Sequence, residues 1–172
     1  MKLTRPPSLV ALALAALALS APSPAAAADS LGSFRDWRAW QNGSGNSRVC
    51  YIASNPKRSE GNYTRRGEVF ALVSYRPADK TAGEVSLVAG YKHAADSEVA
   101  VRIGAENFSL FTHDEASWAR DAETDTRMIS AMQAAARMTV EGTSERGTLT
   151  RDEYSLLGFT AALAAAAEAC GF

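Results

Sequence analysis

The sequence predicts a mainly β (α+β) chain: an antiparallel β-sandwich or partly closed barrel of about eight strands, with two helices closing one face or end. Three observations carry that expectation. From Phe34 to Leu110 the apolar residues recur at every second position in short runs. Those runs are separated by clusters rich in Gly, Pro, Asn and Asp, such as Asn42-Gly43-Ser44-Gly45-Asn46, which favour turns. The apolar period changes to helical spacing in only two places, after Trp118 and after Gly158.

In chain order, the first element is a leader. Lys2 and Arg5 precede a Leu/Ala/Val core from Leu9 to Leu19, and Pro22 and Pro24 break it before Ala26-Ala27-Ala28. This is the pattern of a secretory signal peptide over residues 1–28, cleaved after Ala28. The core of 11 residues falls short of the roughly 20 needed to cross a bilayer, and no later segment is longer and equally apolar. Residues 29–172 then form a single domain.

Asp29 to Ser33 reads as a polar lead-in, and Phe34 to Trp40 alternates aromatic or small residues with charged ones, as a half-buried strand does. Gln41 to Ser47 is a turn, Arg48 to Ala53 a strand, and Pro56 to Arg66 a polar loop. Val69 to Tyr75 is apolar at nearly every position, which predicts a central strand ended by Arg76-Pro77. Val85 to Lys92, Val99 to Ile103 and Phe108 to Thr112 alternate in the manner of an antiparallel meander, with Gly104-Ala105-Glu106 as a tight turn. Met128, Ile129, Met132, Ala135 and Ala136 then share one helical face behind Asp121, Thr124 and Asp125, predicting a helix over 124–136. Met138 to Glu141 and Thr148 to Leu156 return to strand period, and Phe159, Ala162, Leu163 and Ala166 predict a closing helix over 158–169.

Charge and cysteine content limit the function classes. Without Lys2 and Arg5 the chain carries 16 basic and 19 acidic residues, so it has no general attraction for nucleic acid, which needs clustered Lys and Arg. The two cysteines, Cys50 and Cys170, form an even pair in an exported chain, where an oxidising compartment favours a disulfide over two buried free thiols. Such a bond would clip the closing helix to an early strand.

Several stretches, taken together, resemble one family. They are Phe34-Arg35-Asp36-Trp37, Arg48-Val49-Cys50, Glu84-Val85-Ser86 running into Gly90-Tyr91, and Phe108-Ser109-Leu110-Phe111-Thr112. Ala131-Met132, Gly142 to Thr148, and Asp152 to Leu163 with its run to Cys170 complete the set. In that order they resemble the invasion-associated locus B family of exported bacterial proteins. The resemblance implies a mostly-β periplasmic or secreted protein, in a family named for a member linked to entry of a pathogen into red blood cells, and it implies no reaction and no cofactor.

Candidate chemistry is sparse. His93 and His113 are the only histidines, and the meander places them at one end of the sheet with Asp114 and Glu115, about 10 Å apart with one strand between them. A small hydrolase or a metal-dependent enzyme is the alternative reading of that end. It has no third strong ligand at regular spacing and no Gly-x-Ser-x-Gly elbow. The leading expectation is a non-enzymatic protein without cofactor or metal, contacting an unknown protein or a component of the envelope or host surface. Two segments offer an aromatic anchor with a polar rim: the 56–66 loop with Tyr63, Arg65 and Arg66, and residues 113–123 with Trp118.

Overall fold

The structure, a computed structural model, describes residues 28–172. The leader assigned to residues 1–28 lies outside the described residues but for Ala28. The strands are β1 (Asp29–Phe34), β2 (Trp37–Asn42), β3 (Val49–Ser54), β4 (Arg58–Gly61), β5 (Phe70–Arg76), β6 (Thr81–Val88), β7 (Glu98–Ile103), β8 (Glu106–His113), β9 (Ala116–Trp118), β10 (Arg137–Thr143) and β11 (Leu149–Ser155). The helices are α1 (Ala122–Ala134) and α2 (Phe159–Cys170). All eleven strands belong to one sheet, in the order β1-β2-β3-β5-β6-β9-β8-β7-β10-β11-β4, and each neighbouring pair is antiparallel.

The sheet curls without closing. Asp36 N–H donates to the Leu157 carbonyl at 3.2 Å and the Trp37 indole N–H to the Ser155 carbonyl at 3.0 Å, so the β1–β2 corner meets the far end of β11. The inner face follows from strand alternation. Ile52, Val73 and Val85 from one half and Val101, Val140 and Tyr154 from the other are all buried in one apolar core.

Helix α2 packs across β1, β2, β3 and β5. Its buried side is Phe159, Ala162, Leu163, Ala166 and Cys170, and the alanines let the helix lie close to the sheet. Trp37 meets Phe159 edge-on with ring centroids 5.0 Å apart. The helix starts at Gly158, whose φ of +91° and whose contact with the Phe34 carbonyl leave no room for a side chain: a Cβ there would lie 1.9 Å from that oxygen. At the other end Cys170 is bonded to Cys50, with Cα atoms 5.9 Å apart. Helix α1 packs on β6 and β7. Asp121 caps it by accepting from Thr124 N–H at 2.7 Å, and Asp125 docks it by accepting from Val85 N–H at 2.9 Å.

The eight expected strands are present, and β1, β4 and β9 are additional. The lead-in is itself a strand, and the single strand expected over 34–40 is broken, because the chain turns at Arg35 (φ +55°) and Asp36 and pairs β1 with β2 as a hairpin. Helix α1 ends at Ala134 instead of residue 136, since the Ala136 carbonyl accepts from Leu156 N–H at 3.0 Å and belongs with the strands. The expected meander is also rearranged: β6 pairs with β9 rather than with β7, and only β7 and β8 form the expected hairpin. Among the described residues no helix is long and apolar enough to cross a membrane.

Candidate functional site

Strand β11 carries an unusual residue on its inward face. Thr150, Asp152 and Tyr154 are buried in alternation, with Arg151, Glu153 and Ser155 between them. A buried carboxylate needs a cation and hydrogen bonds to offset its lost hydration. Arg66 supplies them. Its Nη1 and Nη2 donate to Asp152 Oδ1 and Oδ2 at 2.8 and 2.6 Å, and the two side chains are only 5% and 4% exposed. Arg66 Nε donates to the Ala89 carbonyl at 2.6 Å, which ties the 62–69 segment to the end of β6.

Aromatic rings surround the guanidinium. Its carbon lies 5.0 Å from the Tyr91 ring centroid and 5.4 Å from that of Tyr63. The Tyr91 hydroxyl is 2.7 Å from Thr150 Oγ1. Burial pulls Arg66 towards losing its proton, but the Asp152 hydrogen bonds and charge more than offset this and hold its pKa above the ordinary value. Burial raises the Tyr91 and Tyr154 phenols as well.

His93 lies beside this group, 6% exposed, with its ring edge-on to Tyr91 at 5.2 Å. Neither ring nitrogen has a hydrogen-bond partner. Burial pushes its pKa down; the Thr143 carbonyl, out of hydrogen-bonding geometry, opposes this and the Arg66 charge reinforces it. A small cavity of about 10 Å³, room for one water, is lined by His93, Ser117, Asp152 and their neighbours.

Above the ion pair an open cleft of about 660 Å³ separates residues 62–67 from the turn at 144–148. Its rim carries Tyr63, Arg65, Lys92, Glu145 and Arg146. Gly67 and Gly90, both in its lining, are in direct backbone contact: Gly67 N–H donates to the Gly90 carbonyl at 2.8 Å, and at Gly90 (φ +69°) a Cβ would lie 2.7 Å from the Gly67 backbone. The chain around the cleft is therefore fixed by a backbone contact below and an ion pair behind.

The chain belongs with known relatives. The family model for the invasion associated locus B (IalB) protein matches residues 37–167 of the 172. The chain belongs to the invasion associated locus B family. Among solved structures it is similar to invasion associated protein B from Bartonella henselae, with a TM-score of 0.56 and 16% identity over 82% of this chain and 98% of that one. That likeness supports the mostly-β fold. No curated protein matches the chain.

In this invasion associated locus B family member, the residues expected to make contacts separate into different roles. Tyr63 is 37% exposed at the cleft, and Arg65 is exposed beside it. Arg66 also lines the cleft, but its guanidinium is paired with Asp152. Trp118 does not sit in an irregular segment: it belongs to β9, is half-buried, and stacks on Phe111 with centroids 5.8 Å apart.

The two-histidine end is not assembled as expected. His93 N–H donates to the Asp114 carbonyl at 2.8 Å, so the two segments touch with no strand between them. Their side chains nevertheless diverge. His93 points into the core, whereas His113 is 79% exposed, 3.5 Å from Asp114, and Glu115 is also exposed. Among the described residues no group of three or more His, Cys, Asp or Glu could hold a metal ion. Asp152, Lys92 and Arg146 escaped the sequence reading as site residues. For Asp152 a signal existed, a carboxylate in register with Thr150 and Tyr154 on the inward face; for the cleft residues, brought together from three separate segments, there was none.

Proposed function

We propose that this chain is an exported, non-catalytic binding protein, made with a signal peptide over residues 1–28 and acting in the bacterial periplasm or secreted fraction, where it contacts an envelope or host-surface component. The observation that carries this reading is the division of charge at the cleft. The buried ionic groups, Arg66 and Asp152, are consumed by each other, while Arg65, Lys92 and Arg146 stand on an open rim beside Tyr63. Such a rim on a fixed scaffold suits recognition. The Cys50–Cys170 bond fits an oxidising compartment, and family membership agrees with export. The divergence of His93 and His113 removes the support for the hydrolase or metal-enzyme alternative.

Two measurements test the reading. Fractionation followed by intact mass should find a chain beginning at Asp29, without free thiols, in the periplasmic extract or medium; a cytoplasmic chain retaining its leader would contradict export. A photo-crosslinking residue placed at Tyr63 should capture an envelope or host-surface component in intact cells. The same probe at Trp118 serves as comparison, and capture at 118 with none at 63 would move the contact away from the cleft.

A further inference from the structure

We infer that the cleft over Arg66 binds an acidic saccharide, one carrying carboxylate or sulfate groups on a sugar framework. The inference rests on the proposed binding role and specifies its ligand. Charge is the first ground. The rim sets Arg65, Lys92 and Arg146 against the single acid Glu145. Among the described residues neither Arg65 nor Arg146 forms an ion pair, and Lys92 reaches Asp114 only at 3.9 Å. A chain with more acidic than basic residues has thus gathered three cations around one concavity, which favours an anion there and repels one elsewhere.

The lining is the second ground. It contains no aliphatic side chain: beyond the charged groups it offers the hydroxyls and amide of Asn62, Thr64, Ser144 and Thr148 and the rings of Tyr63 and Tyr91. Acyl chains find no aliphatic side chain to pack on in such a cleft, whereas a polyhydroxylated ring finds hydrogen-bond partners and an aromatic surface. Its volume of about 660 Å³ lies within the usual 300–1,000 Å³ of small-ligand sites.

Preorganisation is the third. Tyr63 has the Arg66 guanidinium 5.4 Å from its ring centroid, and Asp152 clamps that guanidinium, so the ring is held before any ligand arrives. Arg65 and Arg146 are the direct partners of the ligand's acidic groups, forming charge-assisted hydrogen bonds. Arg66 is a positioning residue behind Tyr63.

The test is titration calorimetry of the mature chain with a heparin-derived tetrasaccharide and a galacturonic acid tetramer. Maltotetraose is the uncharged comparison, and phosphatidylglycerol vesicles the lipid one. At least one acidic saccharide should bind and maltotetraose should not, with affinity falling as salt is raised. Arg65→Ala and Arg146→Ala should each weaken binding about tenfold and the double variant about a hundredfold, with unfolding temperatures unchanged. Absence of binding to both acidic saccharides overturns the inference, as does binding unaltered in the double variant or binding to the vesicles alone. Capture of a partner at residue 63 without any saccharide binding would overturn this inference and leave the binding role intact; loss of both would remove the two together.

Discussion

The two ends of the curled sheet are held by opposite means. Where α2 crosses β1, β2, β3 and β5, cohesion comes from apolar contacts, the Trp37–Phe159 pair and the Cys50–Cys170 bond. Where residues 62–69 cross β11, it comes from one ion pair enclosed by tyrosines. Apolar packing is non-directional and tolerates swaps that keep volume. A buried ion pair is all-or-none, because removing either partner leaves the other charged and without water. The cleft end therefore depends on the geometry of one pair, whereas the packing around α2 is spread over many side chains.

The largest expected effect falls on the covalent end. A bond closing 120 residues of sequence stabilises by about 4–5 kcal/mol in the chain-entropy model, so the Cys50→Ala/Cys170→Ala variant should lose that much in urea unfolding. A loss below about 1 kcal/mol would mean that α2 is held by packing alone. At the ionic end Asp152→Ala should cost about 3–5 kcal/mol by stranding the Arg66 charge. The double variant Arg66→Met/Asp152→Leu should recover most of that loss while loosening Tyr63. Failure to recover it would show that the pair contributes through its charges rather than merely avoiding their separation.

A smaller effect concerns His93. Its pKa is depressed in the folded chain, first by burial, so the unfolded chain binds a proton more readily. The stability contributed by the neutral ring is present above the unfolded value of about 6.5 and is lost as pH falls below it, by at most about 1.4 kcal/mol per pH unit. Thermal unfolding should therefore drop between pH 7 and pH 5, and His93→Phe should flatten that drop. The depressed carboxylates Asp36, Glu98 and Asp121 act lower, below about pH 4, whereas the Asp125 carboxyl, raised by burial, works against the drop, so the His93→Phe comparison isolates the histidine.

The same contrast explains what the sequence could and could not disclose. Helix α2 and the strands around it were legible because Phe159, Ala162, Leu163 and Ala166 repeat at helical spacing and Cys50 had only one possible partner. Strand β4 was not, since all four of its residues are exposed at the sheet edge and no alternation marks it. Strand β9 was hidden by its length of three residues, and its insertion beside β6 displaced the expected pairing with β7. In the basic loop, Tyr63, Arg65 and Arg66 stood out as a group, but composition could not tell which arginine faces inward. Inward placement depends on Asp152, 86 positions away, and on the Gly67–Gly90 contact that turns the chain over β11. The two histidines show the converse: shared position at one end of a sheet says nothing about the face each side chain takes.

The adjacent arginines divide the labour, Arg66 holding the fold through Asp152 and Arg65 standing exposed at the cleft as the proposed ligand contact. Comparing Arg65→Ala with Arg66→Ala by thermal unfolding at pH 7 tests that division most directly. Arg66→Ala should lower the unfolding temperature by at least about 10 °C, the scale of a 3 kcal/mol loss in a chain of this size, because it strands the Asp152 carboxylate. Arg65→Ala should leave it within about 2 °C, as an exposed side chain outside any ion pair does. Equal shifts in the two variants, or a larger one for Arg65→Ala, would contradict the division.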